Sequence, residues 1–364
     1  MGFRCGIIGL PNVGKSTIFN SLTAAHAEVA NYPFCTINPN MGIVSVPDER
    51  LKIIAEIIKP PKITHTTIEV LDIAGLVKGA SRGEGLGNKF LGHIREVDAI
   101  VHIVRCFDDP SVVHVNGPVD PAADIHTINT ELILSDIETV EKRIAKLEKL
   151  VKSGDKLVRR EIECCLQTQN MLEKGIPARN FLISEEEQEI MRECHLLTAK
   201  KVLYVANVSE SILKGGGNYI QKIESIAQQE DSKVILICGD FESEITELPE
   251  EEQQEFLNEL GLEESGLQKL IREGYKLLGL ITFYTTVGPE LRAWTIPQRT
   301  RASVAAGKIH SDMEKGFIRA EVINFDEFIK IGSILKAKEQ GLIRLEGRDY
   351  IICDGDIAYF RFNV

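Results

Sequence analysis

The chain has eight cysteines but no C-x-x-C pair, no apolar run approaching the roughly 18 residues that span a bilayer, and no surplus of positive charge. Each absence removes a class of protein. Cys5, Cys35, Cys106, Cys164, Cys165, Cys194, Cys238 and Cys353 are scattered, several within apolar strand patterns, and read as reduced packing residues. Met1-Gly2-Phe3-Arg4 leads directly into an apolar strand without a signal-peptide cleavage pattern, so a cytoplasmic protein with no membrane role is expected. A formal net charge of −12 repels phosphate over most of the surface, which argues against indiscriminate nucleic-acid binding and against sequence-specific DNA recognition. No internal repeat or low-complexity segment is present.

What remains is a 364-residue chain, 43% hydrophobic and 26% charged, with room for two or three domains. Its charge is unevenly placed. Residues 240–264 are acidic and include Glu250-Glu251-Glu252, whereas residues 142–160 carry Lys142, Arg143, Lys146, Lys149, Lys152, Lys156, Arg159 and Arg160. Either segment also fits a solvated helix face.

Short β-branched runs at 3–8, 66–71, 99–104, 201–206 and 233–238, separated by helical stretches, predict an α/β fold with a doubly wound, mainly parallel sheet. Ligands gather at the carboxyl ends of such strands. Between the third and fourth runs, Ile133, Ile137, Val140, Ile144, Leu147 and Val151, then Val158, Ile162, Cys165 and Leu172, keep a four-three spacing. Gly175 and Pro177 end it, and Ser184-Glu185-Glu186-Glu187 reads as a capping box opening a second helix through Ile190, Cys194 and Leu197. An inserted antiparallel helical arm over 124–199 follows, within a nucleotide-binding domain spanning 1–279. Residues 280–364 turn β-rich and predict a small α+β domain. Two hairpins are expected there, one around Gly288-Pro289 and one around Asp354-Gly355-Asp356.

The chemistry centres on Gly9-Leu10-Pro11-Asn12-Val13-Gly14-Lys15-Ser16-Thr17, a G-x-x-x-x-G-K-S phosphate loop between a strand and a helix. Backbone N–H groups of Asn12, Val13, Gly14, Lys15, Ser16 and Thr17 are placed to converge on phosphate oxygens. Lys15 should neutralise the β- and γ-phosphates, and Ser16 should ligate Mg²⁺. Asp72 in Asp72-Ile73-Ala74-Gly75 sits where such enzymes hold Mg²⁺ directly or through water, and the N–H of Gly75 can approach the γ-phosphate. Thr36, in the loop after the P-loop helix, is a further Mg²⁺ ligand candidate.

These residues, with Asn31-Tyr32-Pro33-Phe34-Cys35-Thr36, Leu76-Val77-Lys78-Gly79-Ala80 and Gly85-Leu86-Gly87-Asn88, resemble the YchF family of Obg-related, translation-factor-class P-loop ATPases. The C-terminal run from Asp354 to Val364 is similar to that family's ubiquitin-like TGS domain, so the resemblance runs from end to end. It implies a hydrolase that prefers ATP and associates with the ribosome, either the large subunit or the whole particle. The helical arm and TGS domain are the expected points of contact.

Two departures from ordinary GTPases stand out. The guanine-reading N-K-x-D pattern is replaced by Asn207-Val208-Ser209-Glu210, which removes the base-packing lysine and lengthens the acid, while Asn207 can still meet the N7 and N6 edge of adenine. The water-orienting Gln after D-x-x-G is replaced by apolar Leu76. Another residue or a partner must then position the water, and His114 and His93 are the candidates. His114 is preferred over His93, because it sits in a polar loop where the family also carries one. Slow intrinsic hydrolysis is expected, with a partner or a monovalent cation such as K⁺ as accessory. A metabolic kinase is disfavoured by the switch position of Asp72 to Gly75; a nucleotide-dependent adaptor stays open.

Overall fold

The computed structural model describes residues 3–24, 40–73, 86–114, 117–150, 156–181, 184–213 and 217–363. In chain order the strands are β1 (Arg4–Ile8), β2 (Met41–Ser45), β3 (Lys62–Thr64), β4 (Thr67–Asp72), β5 (Ala99–Arg105), β6 (Lys201–Asn207), β7 (Val234–Ile237), β8 (Leu280–Val287), β9 (Glu290–Pro297), β10 (Phe317–Asn324), β11 (Arg344–Glu346) and β12 (Asp356–Phe362). They build two six-stranded sheets. The chain forms two compact units, one from Met1–Ile43 with Glu69–Leu270 and one from Val44–Ile68 with Ile271–Val364.

The first sheet runs β2-β4-β1-β5-β6-β7, with β1 parallel to both β4 and β5, and β5, β6 and β7 parallel in turn. All five expected runs are strands of this sheet, and β2 adds a sixth. Every residue of β5 is buried, as are those of β6 after Lys201, which is why these stretches read as continuous apolar runs. Strand order reverses at β1, so the segment after Ile8 opens into the crevice where an α/β sheet takes its ligand.

The arm is a helical hairpin of Pro121–Leu150 and Lys156–Glu173. Ile133, Val140, Ile144, Leu147, Cys164, Cys165 and Leu172 form its core, with Ile137, Val158 and Ile162 packed alongside. The expected seam is therefore present, but two helices that pack on each other carry it, Pro121–Leu150 and Lys156–Glu173, in place of one helix running to Gly175; residues 151–155 lie outside the described residues. Val151 falls there too. The helix after Ser184 is short, Glu185–Arg192; it supplies Met191 to the arm's core with Ile190 packed alongside, and Cys194 and Leu196 join from the residues after it. A heptad pattern cannot separate one long helix from a hairpin, because both seams keep the same spacing. At its base the arm is fastened by Asp136, whose carboxylate accepts from Leu197 N and Thr198 N at 2.8 Å each and from Thr198 Oγ1 at 2.6 Å.

In the second unit the sheet order is β11-β10-β12-β8-β9-β3. β8 and β9 form the expected antiparallel hairpin around Gly288, whose φ of 65° suits a tight turn. The second expected hairpin does not form: β12 pairs with β10 and β8, and Ile351 makes only an isolated bridge to Arg301. The turn polar groups explain this. Asp354 Oδ1 accepts from Thr282 N at 2.9 Å and Gly355 N donates to Thr282 O at 2.8 Å, which commits the segment to β8.

Residues 44–68 belong structurally to this unit. The helix Glu49–Ile58 buries Leu51 and Ile54 with Tyr284, Leu291, Ala293, Ile323, Phe328 and Ile357. Asp48 accepts a 2.6 Å hydrogen bond from the Tyr284 hydroxyl, Arg50 spans both carboxylate oxygens of Asp354 at 2.9 and 3.2 Å, and β3 pairs in parallel with β9. A boundary drawn at 279/280 leaves this segment with the other part of the chain. Of the cysteines, Cys5, Cys106, Cys164, Cys165, Cys194 and Cys238 are buried and free, while Cys353 is exposed. No helix among the described residues is long and apolar enough to cross a membrane.

Candidate functional site

The glycine-rich loop leaves β1 and turns into the helix Lys15–Ala24, whose first turn holds no acidic side chain to neutralise its N-terminus. Asn12 takes a φ of 60° and Gly14 a φ of 89°, and a side chain at Gly14 would run into the Asn207 amide. The motif's second glycine is thus a packing requirement as well as a conformational one. Lys15 is 8% exposed and donates to Leu10 O at 2.9 Å. Burial lowers its pKa, opposed by the nearby charge of Asp72.

Asp72 ends β4, beside β1 in the sheet. Burial raises its pKa against the pull of Lys15, and its Oδ1 has no hydrogen-bond partner among the described residues. A buried carboxylate oxygen without a donor is costly unless something else meets it. Together with the Ser16 hydroxyl at the helix N-terminus, it is a hard oxygen donor of the type Mg²⁺ takes. The donor chemistry fits that ion. Thr36 and Gly75 lie outside the described residues, as does Leu76.

Asn207 ends β6 and ties two loops together. Its Nδ2 donates to Val13 O at 2.9 Å, and its Oδ1 accepts from Gly239 N at 3.2 Å. One N–H and one lone pair remain for a base. The remaining N–H suits N7, which both purines carry, so base choice must draw on the neighbouring wall as well. A cavity of about 680 Å³ opens here, lined by Asn12, Gly14, Lys15, Ser16, Thr17 and Asn207, with Phe107, Val208 and Phe241 as its apolar surface and Glu210 and Asp240 among its acids.

His114 is held against the arm. Its side chain is 4% exposed, with Nε2 2.9 Å from Asp124 Oδ2 in the first turn of the arm helix, and it is not among the residues that line the cavity. His93 is exposed on the helix Leu86–Glu96. Sequence reasoning missed Arg105, a fully buried guanidinium at the end of β5, and the loop it holds; only its position as a charged residue closing an apolar run signalled it.

Fold and cavity together define a P-loop nucleoside triphosphatase. Residues 4–149 match the family described as 50S ribosome-binding GTPase, and residues 280–363 match the YchF-GTPase C-terminal family, described as a protein of unknown function. Over full length the chain is 53% identical to the ribosome-binding ATPase YchF of Bacillus subtilis strain 168 and 51% identical to that of Escherichia coli O157:H7, with 100% of each chain covered. The solved structure of the Schizosaccharomyces pombe YchF GTPase superposes with a TM-score of 0.90 at 38% identity, covering 99% of this chain and 98% of that one. The chain belongs to the YchF family.

Proposed function

We propose that this protein is a cytoplasmic ATPase that binds ATP in preference to GTP, hydrolyses it slowly with Mg²⁺, and uses the nucleotide as a switch for association with the ribosome. The observation that carries the reading is a buried P-loop lysine under the charge of Asp72, whose Oδ1 has no partner among the described residues, with a cavity whose base end carries Asn207 and Glu210 in place of a guanine reader. Lys15 and the loop N–H groups bind the phosphate tail. Ser16 and Asp72, with Thr36, would hold Mg²⁺, which when bound offsets the charge that develops on the phosphates. Gly75 would donate to the γ-phosphate, and K⁺ remains an accessory candidate.

His114 would orient or accept a proton from the attacking water. Its burial against Asp124 supports a resting arrangement in which hydrolysis waits on the arm. The ribosomal partner is supported by the names of the relatives and by the arm's surface. Of the eight basic residues expected to meet RNA, Lys142 is paired with Glu138 at 2.6 Å, Arg143 with Glu161 and with Glu193 at 2.8 Å, and Arg160 reaches Glu163 at 3.9 Å. Lys152 lies outside the described residues, and Lys146, Lys149, Lys156 and Arg159 then provide the phosphate-facing charge, beside exposed Leu150 and Leu157. The C-terminal unit, read as a TGS domain, would supply a second contact.

Two measurements test the proposal together. Titration calorimetry with ATP and GTP should favour ATP, and a tenfold preference for GTP, about 1.4 kcal/mol, reverses the assignment. Co-sedimentation with ribosomes, with and without RNase, should depend on nucleotide and weaken with salt; capture of protein partners alone would support the adaptor reading instead.

A further inference from the structure

Arg105 is 1% exposed, yet its guanidinium is spent on main-chain carbonyls of a single loop. Nε donates to Phe107 O at 3.1 Å, Nη1 to Val112 O at 2.9 Å and Nη2 to Asp109 O at 3.2 Å, and the guanidinium carbon sits 4.6 Å from the centre of the Phe107 ring. That loop supplies Phe107, Asp108, Asp109, Pro110 and Val112 to the cavity wall. Its far end docks on the phosphate loop, where Val113 O accepts from Asn12 Nδ2 at 3.1 Å.

The loop has no strand ladder to define its path. Without that donor the inward-turned carbonyls of Phe107 and Val112 would be orphaned, and Asp109 O would keep only its turn bond from Val112 N at 3.2 Å. A planar fork reaches three separated carbonyls from three nitrogens, whereas a lysine ammonium radiates its three donors from one atom and does not span the same spread. The location adds a second reason. Arg105 is in register with Asn207 across β5 and β6, and Asn207 holds the phosphate loop and Gly239. Two adjacent strand ends therefore hold three separate segments that line one cavity.

We propose that Arg105 is a positioning residue for nucleotide binding: it folds the 107–113 loop around its guanidinium so that Phe107 and its neighbours form one wall of the nucleotide cavity. The inference rests on reading that cavity as the ATP site. Its role is indirect, since the guanidinium faces the loop backbone.

The test uses the full-length chain and a fluorescent ATP analogue, with melting temperature measured beside affinity. Arg105→Lys and Arg105→Gln should weaken ATP by about tenfold in protein that still melts cooperatively, because the loop carbonyls lose their common donor. In Arg105→Ala, added ethylguanidinium should recover part of the affinity at an unchanged melting temperature, whereas a purely structural role would move both together. Phe107→Ala leaves the fork in place and should also weaken ATP, so it decides the matter if the Arg105 variants fail to fold. Parent-like ATP affinity in folded Arg105 variants, or in Phe107→Ala, overturns the proposal. Lys15→Ala separates the two readings: if it binds ATP as the parent does, the nucleotide site itself is misassigned, whereas loss there with normal binding in the Arg105 and Phe107 variants removes only this inference.

Discussion

At the scale of single residues, Lys15→Ala should cut triphosphate binding by at least about tenfold, because the phosphate loop loses its own cation. Unchanged affinity and turnover would contradict the phosphate-site assignment. Ser16→Ala should instead shift the Mg²⁺ requirement of turnover upward, read from a metal titration at fixed ATP. Glu242 carries a pH prediction of its own. It is 1% exposed, its Oε1 accepts from Gly266 N at 2.7 Å, its Oε2 has no partner among the described residues, and burial pushes its pKa up to about 7. The native state then binds a proton that the unfolded chain releases near the ordinary glutamate value, so stability is lost as pH rises from about 4.5 toward 7. Glu242→Gln should leave the melting temperature near the parent's at pH 5 and raise it at pH 8, by about 1–3 kcal/mol of stability. Equal differences at both pH values would mean that Glu242 is ionised throughout.

At the scale of elements, the arm and the loop beside it separate charge that is available from charge already consumed. Reversing Lys146, Lys149, Lys156 and Arg159 to Glu should lower ribosome co-sedimentation several-fold at moderate salt without changing ATP affinity, whereas reversing Lys142 and Arg143 should act mainly on the arm's own packing. Parent-like sedimentation of the first variant would make the arm structural. Asp124→Asn should loosen His114 and raise basal turnover by up to about tenfold at constant ATP affinity, as expected for a group that acts in the transition state. The sequence made the helices and the phosphate loop legible because spacing encodes them. It could not show that Glu161 and Glu193 neutralise Arg143, or that His114 meets Asp124, since such pairs are set by packing between elements. Arg105 was illegible for a related reason: its partners are backbone carbonyls, which every residue carries.

At the scale of the molecule, the boundary between units follows contacts and not chain order. The helix Glu49–Ile58, capped by Asp48, buries Leu51 and Ile54, and no local pattern tells that this apolar face is completed by Tyr284, Ile323 and Phe328. The strands β8 and β9 were legible from their alternation and turn, while β12 was assigned the wrong neighbour because a short Asp-Gly-Asp turn suggests a hairpin that Thr282 pre-empts. Excised residues 280–364 should accordingly be poorly folded, lacking β3 and the helix that covers one face of the sheet. Joining 44–68 to that fragment should restore cooperative unfolding, detectable by calorimetry. Cooperative melting of 280–364 alone would make the added segment dispensable.

The same arrangement imposes a timetable on synthesis. Asp48 leaves the ribosome long before its partner Tyr284, 236 residues later, and at about 5–20 residues per second that interval is on the order of tens of seconds. Throughout it, Leu51 and Ile54 have no sheet to cover them, although the segment that carries them lies between the phosphate loop and Asp72. The newborn chain can therefore bring Asp72 to its phosphate loop, both in the first unit, only while residues 44–68 are held out as a loop that waits for almost the last residues made.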